Sequence, residues 1–243
     1  MIKKILQKIG ASENPIMKLA AGFMRMPIRS AQLQLLKFHK DKGVINLIRT
    51  IQKDGNSLMW PTEMVQIHHC VSSVKRREGD FAEVGVYAGG SARMVCEIKG
   101  DRALHLFDTF EGLPEPTFAD SSSMRKKMYT ATFDLVKTYL GGYKNVFFYP
   151  GMFPETAGPV VNKSFAFVHL DVDLYRSTLE CLKFFYPRMV GGGIILSHDY
   201  SSLAGVKKAF DEFFADKVES VIELSTSQCV VVKDYAAKEK PEK

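Results

Sequence analysis

Cysteine is scarce and scattered: Cys70, Cys96, Cys181 and Cys229 are the four present, and no two form a Cys-x-x-Cys pair. That spacing argues against a zinc ribbon or a dithiol redox motif, and apolar neighbours predict buried, reduced thiols. No apolar run approaches the ~20 residues of a membrane span. The stretch from Ile16 to Met24 is short, is interrupted by Lys18 and precedes no small-residue cleavage site, so a cleaved signal peptide is not expected and the chain reads as cytoplasmic. Acidic residues are nearly missing from residues 1–53, where Glu13 and Asp41 face eleven Lys/Arg. That segment contributes +9 to a chain total of +6, leaving the remainder at −3. With basicity confined to one end, nucleic acid is not an expected partner. Also missing are a Gly-x-Gly-x-x-Gly turn, a Tyr-x-x-x-Lys pair and a Gly-x-Ser-x-Gly elbow, which speaks against nicotinamide reductases and nucleophilic hydrolases.

What is present reads as one large α/β domain with an extension, since 243 residues at 46% hydrophobic content can bury a substantial core. Residues 1–53 carry helical periodicity broken near Pro15 and Pro27. Ile2, Ile5, Leu6 and Ile9 oppose Lys3, Lys4 and Lys8, a basic amphipathic helix that either packs on the domain or a second subunit or rests on an anionic membrane surface. Leu33, Leu36, Val44, Leu47, Ile48 and Ile51 continue the pattern as a lid or oligomer contact. The expected organisation is a helical extension over 1–58, a catalytic domain over 59–235 and a charged tail over 236–243. A helix opening at Pro61 carries His68 and His69, whose adjacency points them apart and makes metal chelation unfavourable.

Two apolar runs end in charge. Phe165 to Leu170 leads into Asp171 and Asp173, and Gly193 to Ser197 leads into His198 and Asp199. Each predicts a buried parallel strand whose carboxyl end opens on a ligand crevice. Asp173 is expected to point away from Asp171 and either to cap the helix that starts near Ser177 or to bond within the turn, and His169 to be a satisfied core residue. The Gly191-Gly192-Gly193 run reads as a turn into its strand. Upstream, Phe81 to Val86, which includes Gly85, predicts the first central strand, followed by the turn Tyr87-Ala88-Gly89-Gly90-Ser91 into a helix from Ala92 to Ile98. The second strand ends at Asp108, 23 residues after Gly85, where an acid can accept the hydroxyls of a ribose. A loop over Thr109 to Pro116 and a helix from about Met124 to Leu140 follow. A further helix is expected from Ser177 to about Met189. Two closing strands, Val218 to Leu224 and Gln228 to Lys233, are joined by three residues only, which permits a hairpin but no parallel crossover. A doubly wound seven-stranded sheet ending in an antiparallel hairpin is the Rossmann-like layout of class I methyltransferases.

The chain resembles the macrocin-type sugar O-methyltransferases from about Gly79 to Phe214. The resemblance rests on the block Gly79 to Gly90, on Phe107-Asp108-Thr109-Phe110-Glu111-Gly112-Leu113-Pro114, on Gly151-Met152-Phe153-Pro154-Glu155-Thr156, and on His169 to Tyr175. It implies S-adenosylmethionine as methyl donor, a divalent cation (magnesium or manganese), a hydroxylated small-molecule acceptor and homo-oligomers; the peripheral membrane contact through residues 1–30 rests on the basic helix alone. By position, Glu83, Gly85, Tyr87, Gly89 and Ser91 would cradle the donor, with Asp108 and Thr109 at its ribose. Asp171 would be metal ligand and general base, and His198 with Asp199 would complete the catalytic and metal set. His198 departs from the family pattern, which has an aspartate there. An imidazole suits magnesium poorly, so the departure implies altered metal choice, a metal-free base, or a binding module that kept the fold.

Overall fold

A computed structural model describes residues 27–235, so the basic helix expected over residues 2–9 and the charged tail lie outside the described residues. Residues 27–36 are helical (α1), followed by α2 (Lys42–Lys53), which Asp41 caps by accepting the Gly43 amide at 2.7 Å. Next is α3 (Pro61–Val74), with proline in its first turn, where the missing amide costs nothing.

The core alternates strand and helix: β1 (Asp80–Val84), α4 (Gly90–Lys99), β2 (Leu104–Asp108), α5 (Phe133–Leu140), β3 (Val146–Pro150), β4 (Phe165–Leu170), α6 (Tyr175–Phe185), β5 (Met189–Ser197), α7 (Ala204–Phe214), then β6 (Ile222–Glu223) and β7 (Cys229–Val232). The seven strands lie in the order β3-β2-β1-β4-β5-β7-β6, parallel from β3 through β5, with β7 antiparallel to β5 and β6 to β7. The strand order reverses between β1 and β4, so a crevice opens at their carboxyl ends. All six residues of β4 are buried, because helices cover both faces. On one face Ile48, Ile51, Met64, Ile67 and Met94 pack against Phe81 and Phe167. On the other, Leu182, Phe185 and Phe210 pack against Phe107 and Phe165. Leu33 and Leu36 of α1 share the first of these cores.

Several boundaries differ from expectation. The helix predicted over 124–140 exists only as α5, because residues 113–128 fold back on themselves. Leu113 and Met128 bond at 2.9 Å, Lys127 returns to Leu113 at 2.8 Å, and Lys127 and Tyr129 take left-handed backbone. Helix α6 starts two residues early and stops at Phe185, with a single tight turn, Tyr186–Arg188, carrying Pro187 before β5. The glycine run lies inside β5 as an irregularity, where Gly192 has φ 71° and the Arg77 guanidinium fills the space a side chain would need. The first hairpin strand shrinks to Ile222–Glu223, at the sheet edge, with Val218 exposed. All four cysteines are buried and unpaired.

Candidate active site

A cavity of about 460 Å³ sits at the carboxyl ends of β1, β2, β4 and β5, the size range of small-molecule sites. Its floor is the turn after β1. Gly85 is required there for packing: at φ +86°, an added Cβ would stand 1.9 Å from the Asp171 carbonyl oxygen. Gly89, at φ +87°, caps α4 without offering a side chain, so the first amides of that helix are left for an anionic group beside Gly90 and Ser91, both of which line the cavity. Glu83 lies behind the wall, fully buried, where it accepts from the Ser91 hydroxyl and stands 3.2 Å from His169 Nδ1. Its role in the structure is to hold Ser91, and neither Glu83 nor Gly89 borders the cavity.

Asp108 lines the cavity but is already engaged. Its Oδ2 accepts from the amides of Val86 (2.7 Å) and Tyr87 (2.9 Å), and its Oδ1 from that of Phe110 (2.7 Å). It thereby ties the β2 tip to the glycine turn. Tyr87 and Thr109 also line the cavity, and the Tyr87 ring meets Tyr129 edge-on at 6.4 Å.

Opposite the turn, β4 and β5 bring Asp171, His198 and Asp199 together. Each offers a ligand atom, all within 4.8 Å of one another. His198 Nδ1 is 3.0 Å from Asp199 Oδ2 and 3.3 Å from Asp171 Oδ1. Burial disfavours the imidazolium, yet Asp171, Asp199 and Glu63 together outweigh it and hold the His198 pKa well above the ordinary histidine range.

Two members of this cluster were not expected. Asp173 adopts a left-handed backbone (φ 59°), which an aspartate tolerates better than most residues, so its carboxyl turns back to the cavity instead of away from Asp171. Burial, then the charges of Asp171 and Asp199, raises its pKa well above the carboxylate range. It does not cap α6. That amide, Tyr175 N–H, is taken by Asp120 from the loop at 2.6 Å. Glu63, in the first turn of α3, is 2% exposed and reaches His198 Nε2 at 3.1 Å, an ion-pair distance off the line of a hydrogen bond. The sequence signal for Glu63 was its place three residues after Trp60, a helix-start position. Cavity residues before that helix, such as Ser57 and Met59, carried no signal.

The donor set fits a divalent cation. Asp171 and Asp199 would supply carboxylate oxygens and His198 a nitrogen, and the crowding of Asp173 against Asp171 and Asp199, which pushes its pKa up, marks a surplus of negative charge at one point.

A family model described as Macrocin-O-methyltransferase matches residues 53–233. The chain is 27% identical over 199 residues to demethyldecarbamoylnovobiocin O-methyltransferase of Streptomyces niveus, covering 73% of this chain and 76% of the relative. It is 32% identical over 154 residues to the 8-demethyl-8-(2,3-dimethoxy-alpha-L-rhamnosyl)-tetracenomycin-C 4'-O-methyltransferase of Streptomyces olivaceus, covering 56% and 59% of the two. Among solved structures, the O-methyltransferase NovP superposes with TM-score 0.65 at 24% identity over 74% of this chain and 82% of that one. An O-methyltransferase from Bacillus cereus in complex with SAH does so with TM-score 0.56 at 13% identity, over 84% and 97%.

Proposed function

Because the chain belongs to the macrocin O-methyltransferase family and is an O-methyltransferase, we propose that it moves the methyl group of S-adenosylmethionine to a hydroxyl of a sugar or similar polyhydroxylated molecule, assisted by a divalent cation at Asp171, His198 and Asp199. The observation that carries this reading is the meeting of Asp171, His198 and Asp199 across one cavity from the glycine turn and the uncapped start of α4. The tetracenomycin relative, whose name specifies 4'-O-methylation of a rhamnosyl-bearing compound, supports the acceptor class.

The reaction forms an O–CH3 bond as an S–CH3 bond breaks, leaving a thioether and releasing the hydroxyl proton. The start of α4 would receive the donor's carboxylate, and Ser91, held by Glu83, would flank it. Asp171, with its side chain 24% exposed on the cavity wall, is the group to take the proton. A bound cation would supply charge that lowers the pKa of an acceptor hydroxyl. Asp108 would act on the donor's ribose side through the turn it secures. Among the described residues no helix is long and apolar enough to cross a membrane.

Calorimetric titration with S-adenosylmethionine and S-adenosylhomocysteine, followed by transfer of isotopically labelled methyl to a panel of glycosides and sugar nucleotides, tests this reading. Micromolar binding with labelled product is expected, and absence of donor binding would overturn it. The imidazole in the cluster favours one second reading, a fold that binds donor without turnover. Binding with no product from any glycoside would select it.

A further inference from the structure

Both ring nitrogens of His198 stand against carboxylates, but on opposite sides of the ring. Its Nδ1 faces the cavity cluster, 3.0 Å from Asp199 and 3.3 Å from Asp171, whereas its Nε2 faces away from the cluster toward Glu63 Oε2 at 3.1 Å. Glu63 is not placed there by the needs of its helix alone. As a helix-start carboxylate it accepts the Trp60 amide at 2.8 Å, a task ordinarily done at the surface, yet here it is 2% exposed. Its other oxygen accepts from the Ser227 hydroxyl, 3.0 Å away, in the turn between β6 and β7. Burying a carboxylate is costly unless it is hydrogen-bonded and faces a positive or proton-donating partner, and the His198 ring is that partner. A carboxylate behind the outer nitrogen of an imidazole, with the inner nitrogen facing a carboxylate cluster, is the arrangement that fixes the tautomer of a metal-binding histidine.

We propose that Glu63 is a positioning residue whose buried carboxylate, set beside Nε2 of His198 at ion-pair distance, turns the ring so that Nδ1 faces the Asp171–Asp199 cluster, making a mixed nitrogen and oxygen site that prefers manganese or a similar transition ion over magnesium. This rests on the metal-assisted methyl-transfer reading above. The physical reason is ligand chemistry: magnesium takes oxygen donors in a strict octahedron, while an imidazole nitrogen favours the later divalent ions. An aspartate at position 198 would have no outer nitrogen, and Glu63 would then have nothing to orient. The link is specific to a chain that has both residues.

The test uses the full chain with Mn2+ and Mg2+ as probes and reads binding, not turnover. Mn2+ affinity is measured from the loss of the free-ion electron paramagnetic resonance signal, Mg2+ by competition, in wild type, H198D, E63Q and the double variant, each first shown to bind S-adenosylhomocysteine. H198D is expected to lower the Mn2+/Mg2+ affinity ratio by ~10-fold or more. E63Q is expected to weaken Mn2+ by ~10- to 100-fold in wild type but to have little effect in the H198D background. Pulsed resonance of bound Mn2+ should show nitrogen coupling that H198D removes. An unchanged ratio, no nitrogen coupling, or an equal loss from E63Q in both backgrounds would overturn the proposal, the last by showing a merely structural role. If the variants bind S-adenosylhomocysteine and these signatures are missing, only the metal assignment fails. If wild type does not bind it, the methyl-transfer reading itself has failed.

Discussion

Asp171 can be changed without disturbing the backbone around it, because its amide bonds to the Val84 carbonyl at 2.9 Å and its side chain faces the cavity. Asp171→Asn should therefore keep the fold and the binding of S-adenosylhomocysteine while lowering kcat by ~10²–10⁴-fold, the usual value of general-base help, as read in single-turnover methyl transfer. Retained turnover would move the proton acceptor elsewhere in the cluster. Asp108 should behave differently. Its carboxylate accepts three backbone amides, so Asp108→Ala leaves three donors seeking partners and should cost on the order of 2–3 kcal/mol in denaturant unfolding, along with weaker donor binding. At this scale the chain was only partly legible. Asp171, His198 and Asp199 stood out because charge at the end of an apolar run is unusual. Asp173 was misread because period-two alternation assumes extended backbone, and a residue at φ 59° breaks that assumption. Glu63 was hidden because its partner lies 135 residues away in sequence, across a helix-to-strand contact that no local pattern encodes.

The elements that carry these residues were easier to read, since hydrophobic period and turn chemistry act locally. The fully buried run 165–170 became β4, and the three-residue link forced the hairpin of β6 and β7. The long helix over 124–140 failed because Lys127 and Met128 bond back to Leu113 instead of onward along a helix. The turn after β1 offers a sharp test of how tightly elements are fitted. Gly85→Ala should push the β1 and β4 tips apart, since its Cβ would fall 1.9 Å from backbone, and should abolish donor binding along with lowering stability. Gly142→Ala, where nothing lies within 4 Å, should leave both within error. Equal behaviour of the two variants, measured by thermal unfolding and calorimetry, would mean the tips are not in contact. Within β4, Phe167→Ala removes a fully buried ring packed edge-on against Phe81 and should cost ~3–5 kcal/mol.

Across the molecule, two buried ionisable clusters far from the cavity set how the fold answers to acid. His105, on β2, lies between Asp80 at 3.0 Å and the Tyr149 hydroxyl at 2.9 Å, and burial, only partly offset by Asp80, lowers its pKa below the ordinary value near 6.5. Glu219 sits between α7 and the hairpin, bonded to Lys233 at 2.6 Å and to the Tyr186 hydroxyl at 2.6 Å. Burial opposes its charge, but these partners prevail and bring its pKa down to about 2. For both groups the unfolded chain binds a proton before the folded one does, so each contributes stability that is full above its unfolded pKa and declines as pH falls toward its folded pKa. The histidine acts first, from about pH 6.5 downward, and the carboxylate second, between about pH 4.5 and 2. Unfolding free energy followed by urea titration from pH 7.5 to 3 should thus fall in two stages. Glu219→Gln should be less stable than wild type at pH 7, and the gap should narrow below pH 4.5 while the first stage is untouched. His105→Gln should reduce the first stage, to which His68 and His69, whose pKa values burial also lowers, add in the same sense, and should leave the second. A gap for Glu219→Gln that persists unchanged to pH 3 would show that the Lys233 pairing, and with it the anchoring of the last strand, contributes little to holding the sheet closed.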